Sequence, residues 1–560
     1  MIRTGEKRPA AGRKASVLGL LLAAITLMLG YAAGANAAPG DLDTTFSSDG
    51  RLTTDFGSVT DRVNDVAIQD NGKVVAAGIT QSVNGDGTID FALARYNPNG
   101  SLDATFGSGG RVVTSFGAGD DHAYAIAIQG DGKIVVAGSS GGDFALARYR
   151  ANGNPDTTFS GDGRLTTDFG SASDVAYGLA LQADGRIVAA GQTSQSDFAL
   201  ARYNPDGTLD ETFDGAGGNG NGKVTTELGS SEGVKDVAIQ QDGRIVVAGY
   251  TVDYAQGTDY NFALARYDSS GALDATFSGD GVLTTDFGDH EFFDHDEAEA
   301  LAVKEDGSIF AAGWSEGQAS STFALARYDE NGNLVGSFGA GGKVLTGFED
   351  DPQSLPGAAA FDLKVQPGGK LVAAGDSKGD FALARYSPSG ALDATFSGDG
   401  RLTTDFGKGD DYAYALATRS DGKLVAAGTS GGNFALARYY GGSDTKAPRV
   451  IGVKPPGGAS GVSSTASVSA TFSDTMDPAT VTVRTFELFR KGSTKPVRAT
   501  VRYRPAKKKA VLDPNNSLRP GATYKAVVTT RVKDLAGNRL DQNPGKPGNQ
   551  PKVWFFTVRK

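Results

Sequence analysis

Two of the three histidines in this 560-residue chain stand in one acidic stretch, Asp289-His290-Glu291-Phe292-Phe293-Asp294-His295-Asp296-Glu297. Carboxylates interleaved with imidazoles can hold a cation: oxygen-rich loops suit calcium, and the imidazoles would admit zinc. His290, Glu291, Asp294, His295 and Asp296 are the candidate metal ligands, with calcium the cofactor such a loop would take. The stretch lacks EF-hand spacing, and a solvated acidic rim is the simpler account of it. The third histidine falls in Asp120-Asp121-His122, and Asp410-Asp411-Tyr412 occupies the equivalent place later in the chain. Tyr250, Tyr254, Tyr260 and Trp314 add aromatic surface in the same class of connection. Aromatic faces over an acidic rim suit stacking on sugar rings or contact with a protein; the alternative is packing beneath their own loops. Asp120, Asp121, His122, Tyr250, Tyr254, Trp314, Asp410, Asp411 and Tyr412 form the candidate binding set.

Catalysis finds less support. The chain has no cysteine, which excludes thiol nucleophiles, thiolate metal sites and disulfides. Gly138-Ser139-Ser140-Gly141-Gly142 and Gly428-Thr429-Ser430-Gly431-Gly432 match Gly-x-Ser-x-Gly, but a nucleophile elbow needs a helix after the serine. Here another strand-like segment follows at once, so no catalytic residue is assigned and the expectation is a non-enzyme.

The elements that must position these residues come from a repeat. Phe-Ala-Leu-Ala-Arg-Tyr occurs seven times, with its arginines at Arg95, Arg148, Arg202, Arg266, Arg327, Arg385 and Arg438. Each unit holds four strand-like segments; in the second copy these are Arg111 to Phe116, Ala123 to Gln129, Lys133 to Gly138 and Phe144 to Tyr149. The third is continuously apolar, as a strand covered on both faces should be. The fourth alternates large Phe144 and Leu146 with small Ala145 and Ala147. Such a period predicts an all-β fold: a seven-bladed β-propeller with four antiparallel strands per blade, followed by an Ig-like β-sandwich. The lone segment Arg51 to Phe56 and the truncated last repeat suggest that one end supplies the strand the other lacks. Each arginine recurs in step with an aspartate (Asp43, Asp103, Asp156, Asp210, Asp274, Asp393), which predicts an ion pair locking neighbouring strands.

Spacing separates two rims. From Gln129 to Gly138, and at all equivalent places, the step is nine residues; from the repeat tyrosine to the phenylalanine of Leu-Asp-x-Thr-Phe it is ten. The other two connections vary, from six residues (Gly138 to Phe144) to thirteen (Gly78 to Phe91), and from ten to sixteen. Successive antiparallel connections alternate between ends of a blade, so the variation falls on one face, apart from the insertion Gly215 to Gly222. A rigid scaffold presents a binding surface in this way, and drift of exposed loops would produce a similar pattern.

Asp-Gly-Lys-Ile-Val-Val-Ala-Gly, Asp-Phe-Ala-Leu-Ala-Arg-Tyr and Leu-Asp-Ala-Thr-Phe resemble the bacterial delta-60 repeat of exported proteins, over about Leu42 to Tyr439. The resemblance implies a propeller whose Ala-Ile-Ala-Ile-Gln strand lines the channel, and it carries no catalytic residues to transfer. Leu334-Val335-Gly336-Ser337-Phe338 departs from the motif by lacking the aspartate. The tail resembles a bacterial Ig-like domain of surface-layer and other exported proteins, through Phe472-Ser473-Asp474-Thr475-Met476-Asp477-Pro478, Lys533-Asp534-Leu535-Ala536-Gly537-Asn538 and Trp554-Phe555-Phe556-Thr557.

Five cations precede an apolar run from Val17 to Leu29, and Ala35-Asn36-Ala37 follows it, the pattern of a cleaved secretory signal. The expected division is a signal peptide 1–37, a propeller 39–440, a linker 441–446 and an Ig-like domain 447–560. Residues 446–560 carry 22 Lys and Arg against 6 Asp and Glu, a net +16, which leaves −31 for residues 39–445. So acidic a ring excludes nucleic acid as its partner. The expectation is a secreted or cell-surface, monomeric binding or scaffold protein with no membrane span after cleavage. It would present its variable rim to an extracellular protein or glycan, and its basic Ig-like domain would act as a spacer or contact anionic wall polymers. The alternative is a polysaccharide hydrolase or lyase with its site over the channel.

Overall fold

A computed structural model describes residues 37–560 apart from 82–86, 216–219, 253–258, 289–294, 317–319, 349–356, 408, 443–446, 474–475, 505–506, 535–537 and 544–547. The signal segment, Tyr254, His290, Glu291, Asp294 and most of the linker lie outside the described residues. The described elements are strands, with one 3-10 turn at Pro478–Thr480, and no helix among them is long and apolar enough to cross a membrane.

The first complete sheet pairs β2 (Asp61–Ile68), β3 (Val74–Gln81), β4 (Ile89–Tyr96) and β5 (Arg111–Thr114) in chain order, all antiparallel. Its first strand has equivalents in β6 (Asp121–Ile128), β10 (Val175–Leu181), β14 (Ser231–Ile239), β18 (His295–Val303), β22 (Ala358–Val365) and β26 (Asp411–Thr418). These inner strands pack each against the next, and β26 returns to β2, so the circle closes and the architecture is a β-propeller. The final sheet is completed from the other end of the chain: β1 (Arg51–Thr54) pairs with β28 (Asn433–Tyr439), Arg51 opposite Ala437 and Thr54 opposite Phe434.

Packing between sheets follows the alternation of the fourth strand. Phe91 and Leu93 of one sheet meet Ala145 and Ala147 of the next, large against small, and all four are fully buried. Tyrosine hydroxyls trapped in these seams are satisfied across them, as in Tyr96 Oη to Thr54 Oγ1 at 2.9 Å and Tyr203 Oη to Thr167 Oγ1 at 2.8 Å. The repeat arginines pair with their aspartates: Arg95–Asp103 at 2.7 Å, Arg148–Asp156 at 2.8 Å, Arg202–Asp210 at 2.7 Å, Arg266–Asp274 at 2.8 Å, Arg385–Asp393 at 2.9 Å and Arg438–Asp43 at 2.7 Å. Each also donates from Nη1 to a carbonyl of the following sheet, for example Arg202 to Ser269 O at 2.6 Å. Arg327, whose aspartate is replaced by Val335, has no such carboxylate and lies over Phe310 instead, 5.4 Å from its centroid.

The tail folds as two sheets. One is ordered β29 (Val450–Lys454), β30 (Val468–Phe472), β33 (Lys509–Pro514), β32 (Ala499–Arg504); the other is β31 (Phe486–Arg490), β34 (Thr523–Val528), β35 (Lys552–Thr557). Phe472, Phe486, Trp554 and Phe556 are buried between them, the packing of an Ig-like sandwich.

Candidate binding site at the channel mouth

Inner strands begin two residues earlier than the apolar pattern suggests. Asp121 and His122, read from sequence as a loop, are the first residues of β6. The cause is a β-bulge at one place in every inner strand: pairing with the third strand skips Asn64, Tyr124, Tyr177, Lys235, Glu299, Phe361 and Tyr414. The third strand accommodates it with a glycine, because a Cβ at Gly138 would lie 1.8 Å from the carbonyl oxygen of His122 and one at Gly428 1.7 Å from that of Tyr412. This close approach is the physical reason for the invariant Ala-Gly in each repeat.

A bulge re-aims a side chain, and all the skipped residues line one cavity of about 280 Å³. They differ from sheet to sheet, as do the residues after them (Asp65, Ala125, Gly178, Asp236, Ala300, Asp362 and Ala415), while the residue before each is Ala or Val. Tyr124 and Tyr177 meet with centroids 4.8 Å apart, and Phe361 and Tyr414 at 5.2 Å. Arg62 lies over Tyr414 at 5.4 Å. Lys235 stands 5.5 Å from the Tyr177 ring and 5.6 Å from that of Tyr250, with Glu299 at 3.5 Å and Glu297 at 3.7 Å. Burial pulls this ammonium down, but Glu299 and Glu297 outweigh it and hold it above its ordinary value. Burial also raises both glutamates, against the pull of Lys235.

A second tier surrounds the first. Cross-strand pairs set His122 beside Ser139, Gly233 beside Tyr250, Glu297 beside Trp314 and Tyr412 beside Thr429 at one register level. The fold thus brings His122, Tyr250, Trp314 and Tyr412, far apart in sequence, onto one collar. His122 lies parallel to Tyr124 at 6.0 Å and Tyr412 to Tyr414 at 5.9 Å. His295 is stacked on Tyr260 at 3.8 Å and lies 4.5 Å from Trp314. Burial pushes His122 and His295 below the ordinary imidazole value, which favours their neutral forms.

The acidic residues divide. Asp121, Asp296 and Asp411 are fully buried, each accepting a backbone N–H at 2.7 Å, from Phe116, Phe287 and Phe406. They clasp the connection entering each inner strand instead of facing solvent. Asp120 accepts the Ile89 N–H at 3.0 Å. Asp410 faces Asp376, whose carboxyl is pushed up to about 7 by burial and then by Asp410. Among the described residues, two carboxylate triads have oxygens within 4.8 Å of one another, Asp143–Asp168–Asp174 and Asp380–Asp405–Asp411. A cation could be held there, and each triad sits where an outer strand leads into the next inner strand.

Beneath the bulges Asp65, Asp236 and Asp362 face the lumen around Lys364. Each carboxylate accepts the N–H of its own next residue (Val66 2.7 Å, Val237 2.7 Å, Leu363 2.6 Å) and one from the neighbouring inner strand (Ile126 2.8 Å, Leu301 2.8 Å, Leu416 2.6 Å). Lys364 Nζ donates to Asp362 at 2.6 Å. Burial pushes Asp65 up to about 7 and Asp236 to about 6, although Lys364 draws both down. With both oxygens bound to backbone, these groups act as clamps between sheets. Sequence reading missed the bulge residues and these clamps. Aligning the inner strands by their buried leading residue, an acid in every one but β22, would have exposed the variable column from Asn64 to Tyr414.

The fold and collar define a class: a repeat β-propeller with an unrepeated channel mouth, joined to an Ig-like sandwich. The family described as Domain of unknown function (DUF5122) beta-propeller matches residues 69–106, 129–159, 182–213, 240–277, 304–334 and 366–396, and Bacterial Ig-like domain matches 444–558. The chain carries repeats of this propeller family and a C-terminal bacterial Ig-like domain, as the repeat and tail motifs implied. Among solved structures, the N-terminal part of the bacterial S-layer protein SbsC is 25% identical over 20% of this chain, with a TM-score of 0.16; the match spans 24% of that structure. The polysaccharide lyase Uly1 is 11% identical over 70% of this chain and 92% of its own, with a TM-score of 0.41. A catalytically inactive virginiamycin B lyase from Staphylococcus aureus with quinupristin is 11% identical over 70% and 98%, at 0.39. No curated protein matches the sequence.

Proposed function

We propose that this is an exported, non-enzymatic binding protein whose ring takes an extracellular partner, a glycan before a protein, at the channel mouth. In this reading residues 1–37 are a cleaved signal, 39–440 a seven-bladed ring, 441–446 a linker and 447–560 a spacer or attachment to the cell surface. The mature chain is then a secreted or surface-bound monomer. One observation carries the proposal: a bulge at the same position of every inner strand places Asn64, Tyr124, Tyr177, Lys235, Glu299, Phe361 and Tyr414 into one cavity. The buried residue before each of them is Ala or Val in every sheet, as packing between sheets requires, whereas the bulge residues range from Asn to Lys, Glu and aromatics. Paired aromatic faces beside ionic groups match the demands of a sugar, whose C–H faces stack and whose hydroxyls take hydrogen bonds.

The hydrolase or lyase alternative needs a carboxyl free to exchange a proton with substrate. Asp65 and Asp236 have raised values in the right place, but their oxygens are committed to backbone donors, and Glu299, also raised by burial, is paired with Lys235 at 3.5 Å. The test is a glycan array probed with the full mature chain and with Tyr124→Ala/Tyr177→Ala. Selective binding that the double variant loses supports the reading. Turnover of a bound polysaccharide, with new ends appearing, would replace it with the enzyme.

A further inference from the structure

The outward face of the β29–β30–β33–β32 sheet carries a group of cations. Strand register sets Gly452, Thr471, Lys509 and Arg504 in one cross-strand row and Lys454, Ser469, Val511 and Arg502 in the next. The opposite side chains, Ala470, Ala510 and Leu512, are buried in the sandwich core, so these rows face away from it. Lys454, Arg502 and Arg504 are exposed and Lys509 half-buried. Beyond Arg502 the third row holds Thr500 and the face's one carboxylate, Asp513. None of the four cations has an ion pair among the described residues, whereas six of the seven repeat arginines of the ring are paired.

We infer that this face is a docking surface for an extended anionic polymer. Arg502 and Arg504 are two residues apart on one strand, about 7 Å, and adjacent strands are about 4.8 Å apart. The face therefore offers a cluster of Arg502, Arg504 and Lys509 on adjacent strands, with Lys454 three strands away in the row of Arg502, and the small Gly452, Thr471 and Thr500 leave room for a chain to lie flat. Guanidinium groups fork onto phosphate or carboxylate oxygens, and the hydroxyls add donors. The net +16 of residues 446–560 draws a polyanion while the −31 of residues 39–445 repels it, which confines capture to the tail. The inference rests on the attachment role proposed above and names the surface and the chemistry that would perform it.

The experiment uses the full mature chain and two probes, a linear polyphosphate and poly-L-glutamate, with binding followed by anisotropy at near-physiological salt. Lys454→Gln/Arg502→Gln/Arg504→Gln is compared with Arg484→Gln/Arg519→Gln/Lys552→Gln, which removes the same charge elsewhere in the domain. The expected result is at least a tenfold loss of affinity in the first variant and less than threefold in the second. The probe that binds more tightly identifies phosphate or carboxylate as the source. Equal losses in the two variants, or no binding of either probe, overturn the proposal. Retention in the producing cell's envelope fraction is measured alongside: if the first variant stays attached, attachment stands and this face is not its cause; if neither variant nor the parent is retained, the attachment role itself falls.

Discussion

Removing one partner of a buried ion pair leaves the other charge desolvated, typically at about 3–5 kcal/mol. Asp156→Ala would strand Arg148, which is buried and bridges two sheets, and should lower stability by that order in denaturant unfolding. Arg327→Met should cost about 1 kcal/mol, because Arg327 has no carboxylate to strand and gives up one hydrogen bond, to Ser308 Oγ at 3.3 Å, beside its contact with Phe310. The lumen adds a pH dependence. Raised carboxyls favour the fold while protonated, so Asp65 and Asp236 contribute stability at pH 4 that is lost as pH rises through about 6 to 7. Lys364→Met removes the cation they face. Its melting temperature should fall below that of the parent at pH 8 and approach the parent at pH 4.5, where those two carboxyls are neutral. At this scale sequence was a partial guide. The Arg–Asp pairs were legible because both members recur in step. Asp121 and Asp411 read as rim residues because a buried aspartate capping a connection has the same letters as an exposed one.

The bulge is the element that turns a repeated strand into a site. Gly138→Ala places a Cβ against the His122 carbonyl and cannot coexist with that bulge. Its cost should reach several kcal/mol, in the range of backbone clashes in packed sheets, and should exceed that of Gly130→Ala, whose Cβ would meet nothing. Closure belongs to the same scale. A chain starting at residue 57 lacks β1 and leaves Phe434 to Ala437 unpaired at a sheet edge, so it should unfold at lower denaturant and form larger species by light scattering. The closing strand was legible from the lone Arg-Leu-Thr-Thr-Asp-Phe before the first full repeat. The bulge was not, since one extra residue in a strand leaves no mark on apolar alternation until its pairing is known.

For the molecule as a whole, repetition builds the wall and departures from repetition build the mouth. The invariant connections are tight turns closed by backbone bonds such as Gln129 N to Lys133 O at 2.8 Å, and they place the variable connections together at the other end. Tyr250, Trp314, His122 and Tyr412 were recognisable as candidates from their residue types; their meeting on one collar required the ring. The charge division, visible in composition, is what separates the partners proposed for the two parts of the chain. The central claim is that the bulge residues at the channel mouth bind a glycan. Its most direct test is calorimetric titration of the best array ligand into the mature chain and into Tyr124→Ala/Tyr177→Ala/Phe361→Ala, each checked for an unchanged fold by circular dichroism. The account predicts saturable binding by the parent and at least a tenfold weaker affinity in the folded variant. Unchanged affinity in that variant would contradict it.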